Sequence, residues 1–111
     1  MNALRNKVSL IGNLGNDPEI TAFENGNKVA RFNIATNESY KNKQGERIEN
    51  TQWHTVVAWN SLAKIIEDYV KKGQEIALEG KLVQRSYESK SGEKRFVTEI
   101  EMKDILLLGK K

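Results

Sequence analysis

A chain of 111 residues holds one domain around one hydrophobic core and is too short for two. Its lack of cysteine excludes disulfides, thiolate metal sites and cysteine nucleophiles, and 18 Lys and Arg against 15 Asp and Glu leave a formal charge of +3, which permits an anionic partner without demanding one. No apolar run approaches a membrane span, and Met1 to Lys7 lacks the basic-then-apolar layout of a secretory signal, so a soluble, intracellular chain with no membrane partner is expected.

In chain order, Lys7 to Leu14 is strand-like, with Gly12 and Gly15 at positions suited to a bulge and a turn and Asn16-Asp17-Pro18 as a stop. Gly-Asn-Leu-Gly lacks the rest of a dinucleotide-binding fingerprint and the helix that should follow it. Glu19 to Phe23 forms a short strand, and Asn25-Gly26 signals a tight hairpin turn. From Lys28 to Thr36, Ala30, Phe32 and Ile34 share the core parity, while Arg31, Asn33, Val29 and Ala35 take the other. Asn37 to Asn50 is hydrophilic, its charges nearly cancel, and it is longer than an ordinary hairpin connection; a functional loop is expected there.

Thr51 to Trp59 is dense in β-branched and aromatic residues and carries both tryptophans. Side chains alternate along a strand at about 3.3 Å per residue, so Trp53 and Trp59 share one face roughly 20 Å apart. Alternation alone does not decide whether that face is core or surface. Ser61 to Lys72 changes to helical spacing through Leu62, Ile65, Ile66, Tyr69 and Val70, with Ser61 expected as N-cap, Lys71 and Lys72 at the negative end of the dipole, and Gly73 as the stop. Glu75 to Tyr87 alternates again, placing Lys81, Arg85 and Tyr87 on one face. Ser89 to Glu93 makes a hairpin tip, and Lys94 to Leu108 returns as a last long strand ending in the apolar run Ile105-Leu106-Leu107-Leu108.

The expected fold class is therefore all-β with one helix: five principal strands, with the helix between the third and fourth, as in the OB-fold five-stranded Greek-key barrel. The faces opposite the core parities carry Arg31, Trp53, Trp59, Lys81, Arg85 and Tyr87, the mixture of basic and aromatic residues found on base-stacking platforms. No repeat or linker interrupts the chain, so residues 1–111 are expected to form a single domain of this kind.

Asn6-Lys7-Val8, Gly12 through Glu19, Ala35 through Tyr40, Thr51-Gln52-Trp53-His54, Val70 through Gly73 and Glu79 through Leu82 occur together in this order. In this the chain resembles the bacterial single-stranded DNA-binding protein family over nearly its whole length. The resemblance implies an OB-fold that assembles as a homotetramer in the bacterial cytoplasm, on the nucleoid. It further implies binding of single-stranded DNA without sequence preference in replication, recombination and repair, with no catalysis and no cofactor. It places the odd-numbered face of the tryptophan strand outward.

Carried over by residue, the family's base-stacking positions fall on Tyr40, Trp53, Trp59 and Tyr87. Three of these depart from the family's commonest residue, and all remain aromatic. Arg31, Lys81 and Arg85 join them as expected phosphate contacts, while Asn6, Val8, Leu10 and His54 match subunit contacts. Family members usually continue into a flexible tail with an acidic, hydrophobic tip that recruits other enzymes. This sequence stops at Gly109-Lys110-Lys111, as either a binding core trimmed of its tail or a tail-less relative would, so the resemblance leaves recruitment of replication and repair proteins open.

The plainer reading of each residue sets the alternatives. Tryptophans on an arbitrary strand pack a core, and Tyr87 is an ordinary half-exposed strand residue. Tyr40, in a polar loop with no local packing partner, favours a contact role. His54 has neither a second histidine nor a cysteine beside it, so no metal site is expected. Glu67-Asp68 and Glu99-Glu101 have no accompanying nucleophile and are taken as surface charge. Arg85, Lys90, Lys94 and Arg95 against Glu88 and Glu93 leave two net positive charges on the last hairpin. The competing functions are an OB-fold protein-interaction subunit of a replication complex and an RNA-preferring OB domain.

Overall fold

The computed structural model describes residues 3–108. After a single 3₁₀ turn at Ala3–Asn6 come the strands β1 (Val8–Leu14), β2 (Glu19–Ala22), β3 (Lys28–Lys41) and β4 (Arg47–Trp59). The helix α1 (Ser61–Tyr69) follows, then β5 (Glu75–Glu88) and β6 (Lys94–Leu107). The sheet order is β1-β5-β6-β4-β3-β2, and a further β1–β3 pairing through Asn13↔Ala35 and Leu14↔Ile34 closes it into a barrel. All pairings are antiparallel except β4–β6, which is parallel over Val56↔Ile100 and Val57↔Glu101. The four-residue β2 lies outside the closed set, leaving the five-stranded OB-fold barrel expected from the sequence, with α1 between its third and fourth principal strands.

Alternation builds the interior. Phe32, Ile34, Val56, Ala58, Ile76, Leu78, Ile100 and Met102 point inward from β3, β4, β5 and β6, and Ala63, Ile66 and Val70 close one end from α1 and its C-cap. Full burial of Phe32, Ile34 or Ile66 contributes about 1.5–3 kcal/mol each. Closure demands close backbone approach where β1 crosses β3. A Cβ on Gly12 would run into the carbonyl of Ala35, so only glycine fits at this corner.

Two local expectations fail. The polar stretch 37–50 is no open loop: β3 runs to Lys41 and β4 begins at Arg47, in continuous register from Val29↔Trp59 to Lys41↔Arg47. Its polar side chains serve the hairpin itself. The hydroxyl of Thr51 donates to Asn37 Oδ1 across the strands at 2.8 Å, and Asn42 Oδ1 accepts the backbone N–H groups of Gln44 and Glu46 at 3.0 and 2.9 Å. The stretch is hydrophilic because the hairpin projects past the barrel, where most of its residues meet water.

The helix is also shorter than its periodicity, ending at Tyr69 rather than Lys72, and its N-cap is Asn60 rather than Ser61. Asn60 does not cap with its side chain; Oδ1 accepts the N–H of Lys28 at 3.0 Å and so ties the helix start to β3. Beyond the helix, the N–H of Lys71 donates to Gln74 Oε1 and that of Lys72 to Asp17 Oδ1, so neither lysine sits in a last helical turn. No helix among the described residues is long and apolar enough to cross a membrane.

Candidate nucleic-acid interface

The odd-numbered residues of β3 and β4 make one outer face with those of β5 from Lys81 onward and of β6 up to Glu101, the register shift at Glu79/Gly80 reversing the parity of β6 beyond. The registers Arg31↔Val57, Val57↔Glu101 and Lys81↔Glu101 set a row across four strands, with Trp59 beside Val29 at one side and Trp53 beside Ala35 at the other. Val29, opposite Trp59, and Val57, which lines a groove with Trp59, are nearly fully buried yet lie outside the central core. Trp53 is 61% exposed and Trp59 39%, an unusual degree for the largest apolar side chains.

Each ring is held by a neighbour that the sequence did not connect with it. Trp59 stacks on Phe23 at the end of β2, with ring centroids 6.2 Å apart and planes inclined by 22°. One face of the indole is thereby backed, and Phe23 itself is 45% exposed. Trp53 lies against Gly15, where a Cβ would collide with the six-membered ring of the indole. Asn16 fixes the loop that carries this glycine: its Oδ1 accepts the N–H of Asn33 at 2.9 Å, and the N–H of Gly15 donates to the Asn33 carbonyl at 2.9 Å.

The basic residues of this face are paired. Glu99, taken from the sequence as surface charge, is only 7% exposed and sits between two guanidinium groups. Arg31 Nη1 donates to its Oε2 at 2.6 Å, while Arg85 Nε and Nη2 donate to Oε1 and Oε2 at 3.1 Å each. The fork of Arg85, with further help from Arg31, holds the Glu99 carboxyl below the usual carboxylate range against the opposing effect of burial. The same hydrogen bonds raise the pKa of Arg85 above its ordinary value. Lys81 faces Glu101 at 3.7 Å, and Lys103 approaches the same carboxylate at 3.8 Å. These partners were invisible to local patterning because Arg31 and Glu99 are 68 residues apart.

Tyr87 shares the outer face, paired with Arg95 in the β5–β6 hairpin and 49% exposed. Tyr40 does not lie in a loop. It sits in β3 opposite Ile48, on the parity of Phe32 and Ile34 but past the end of the barrel, where it is 55% exposed. On the last hairpin, the Arg95 guanidinium is bonded to Glu93 at 3.1 Å and the Lys94 ammonium lies 5.9 Å from the ring centroid of Phe96.

The residues expected at subunit contacts lie elsewhere. Asn6 donates through Nδ2 to the Leu82 carbonyl at 3.1 Å and accepts the Leu82 N–H at 2.9 Å, mimicking one more rung of the β1–β5 ladder. Val8 and Leu10 are partly buried against the core, and His54 Nε2 is 3.2 Å from the hydroxyl of Thr36. Ile11, Ala77 and Leu106 align beside Leu10 across β1, β5 and β6, with Ile11 61% and Leu106 62% exposed. They line a groove of about 690 Å³ with Leu10, Leu78 and Ile105. Among the described residues, no group of three or more His, Cys, Asp or Glu is placed to hold a metal ion.

Comparison with known proteins converges on one family. A model described as the single-strand binding protein family matches residues 5–108. The chain is 46% identical over 107 residues to single-stranded DNA-binding protein 1 of Chlorobaculum tepidum, covering 96% of this chain and 66% of that protein. It is 43% identical over 107 residues to single-stranded DNA-binding protein 1 of Xylella fastidiosa, covering 96% of this chain and 79% of that one. Among solved structures, the Plasmodium falciparum SSB complex with ssDNA superposes with a TM-score of 0.84 at 32% identity, covering 97% of this chain and 99% of that chain.

Proposed function

The chain belongs to the single-strand binding protein family, and on that premise we propose that it binds and protects single-stranded DNA without sequence preference during replication, recombination and repair. The observation that carries this reading is the pair Trp53 and Trp59, exposed together on one face of the barrel, with Tyr87 on the same face. Indole and phenol rings stack on any base, and each stacked base is worth about 1–3 kcal/mol by alanine substitution. Trp53, Trp59, Tyr40 and Tyr87 supply the stacking, and Arg31, Lys81 and Arg85 the polar contacts to the backbone. The domain spans residues 1–111 and performs no catalytic step.

Self-association belongs to the same reading. Exposed Ile11 and Leu106 on either side of half-buried Ala77, next to Val8 and Leu10, support a homotetramer in which a second copy covers this face, with Asn6 and His54 near the contact. We place the protein in the bacterial cytoplasm, on the nucleoid, as its bacterial relatives suggest.

The test is equilibrium binding of fluorescently labelled oligo-dT, oligo-dA and mixed sequence, with ribo-oligomers of equal length as competitors. Comparable affinity across the deoxy-oligomers and weak competition by RNA are expected. Preference for RNA, or binding confined to one base, would replace the reading.

A further inference from the structure

Glu99 lies on β6 beneath the outer face, in a groove of about 180 Å³ lined also by Arg31, Val57, Trp59, Val83 and Arg85. Three guanidinium N–H groups, one from Arg31 and two from Arg85, converge on its two oxygens at 2.6–3.1 Å. A guanidinium carries five N–H donors in a rigid fork, so both arginines keep donors for a ligand while their direction is set by the carboxylate. Two positive groups and one negative group leave this trio with one net positive charge. Both arginine side chains remain partly open to solvent, at 40% and 48%, whereas the Glu99 side chain is 8% exposed.

We propose that Glu99 is a positioning residue of the groove: it ties Arg31 and Arg85 into one unit of single net charge that meets one phosphate rather than two, presenting directed N–H donors beside Trp59. The inference rests on the single-stranded DNA reading above. It explains how a face with three basic residues avoids becoming a purely electrostatic binder. Where cations act freely, each neutralised phosphate releases counterions and steepens the salt dependence of binding; where they are held by a buried carboxylate, stacking and hydrogen-bond direction carry more of the affinity.

The measurement is the slope of log K against log salt for an oligo-dT short enough to occupy the face of one protomer, which changes by about 0.7 per phosphate neutralised on a single strand. Replacing Glu99→Gln frees both guanidinium groups, and the slope is expected to steepen by about 0.7. The triple variant Arg31→Gln, Arg85→Gln, Glu99→Gln buries no unpaired charge, and its slope should be about 0.7 flatter than wild type. A merely structural Glu99 would lower the melting temperature of Glu99→Gln and leave its slope at the wild-type value, which overturns the proposal. So does a triple variant flatter by about 1.4, the result for two independent phosphate contacts. Should Glu99→Gln not fold, the triple variant decides alone. A wild-type chain that binds no oligo-dT at low salt removes the DNA reading itself, a result distinct from a wild type that binds with the wrong slope pattern.

Discussion

The guanidinium of Arg85 grips both oxygens of Glu99, with Nε and Nη2 each donating at 3.1 Å. Because this fork and Arg31 stabilise the charged carboxylate, the folded-state pKa of Glu99 lies below its unfolded value, the fork of Arg85 being the largest cause. The stabilisation is fully present above the ordinary glutamate value of about 4.3 and is lost as pH falls through the lower folded-state value. The difference in melting temperature between wild type and Glu99→Gln should therefore be constant from pH 8 to about 5 and close in more acid solution. A pH-independent difference would show that the carboxylate charge is not what holds the two arginines.

Gly15 supports Trp53 by having no side chain. Its backbone is not in the left-handed region, so Gly15→Ala introduces a clash with the indole and no backbone strain. Trp53 is already 61% exposed and can swing away into solvent. Folding stability should change by less than about 1 kcal/mol, while tryptophan emission shifts and affinity for oligo-dT falls several-fold. Unchanged affinity in a folded Gly15→Ala would mean that Trp53 needs no seat in order to bind.

Phe23 does for Trp59 what Gly15 does for Trp53, through contact instead of clearance. Removing the ring with Phe23→Ala should cost about 0.5–1.5 kcal/mol beyond the lost burial. It should also red-shift the emission of Trp59 and weaken binding without changing its salt slope. The check is a thermal melt alongside a fluorescence titration. A variant whose stability falls but whose affinity stays at the wild-type value would confine Phe23 to packing.

The apolar row on β1, β5 and β6 predicts assembly. Ile11→Glu and Leu106→Glu place charge at two exposed positions that the monomer does not need for its core. Sedimentation should show the wild type as a tetramer and each variant as smaller species with intact secondary structure. Persistence of the tetramer in both would move the contact to another surface.

The barrel was legible because its core residues are regularly spaced. Phe32 and Ile34, Ile76 and Leu78, and Ile100 and Met102 alternate as a half-buried strand must, and Ala63 and Ile66 mark the buried side of a helix. The face of Trp53 and Trp59 was legible as a shared face but not as an outer one, since the even set Gln52, His54, Val56 and Ala58 is also tolerable on the outside. The phase came from resemblance. What local patterning missed depends on partners distant in the chain: Arg31 reaches Glu99 across 68 residues, and Trp59 meets Phe23 only because β2 folds back on β3. The β3–β4 hairpin was missed for a different reason. Its strands continue beyond the barrel, where no core imposes an apolar alternation, so its polar residues resemble a loop while pairing as a ladder.

The central claim is that Trp53 and Trp59 stack on the bases of single-stranded DNA, and both are the chain's own reporters. Titrating the wild-type protein with oligo-dT should quench most of the tryptophan emission. Trp53→Ala and Trp59→Ala should each weaken binding by about 5- to 150-fold, to a similar extent for every base composition. An emission spectrum unchanged at saturating oligo-dT, or two folded variants that bind as tightly as wild type, would contradict the account.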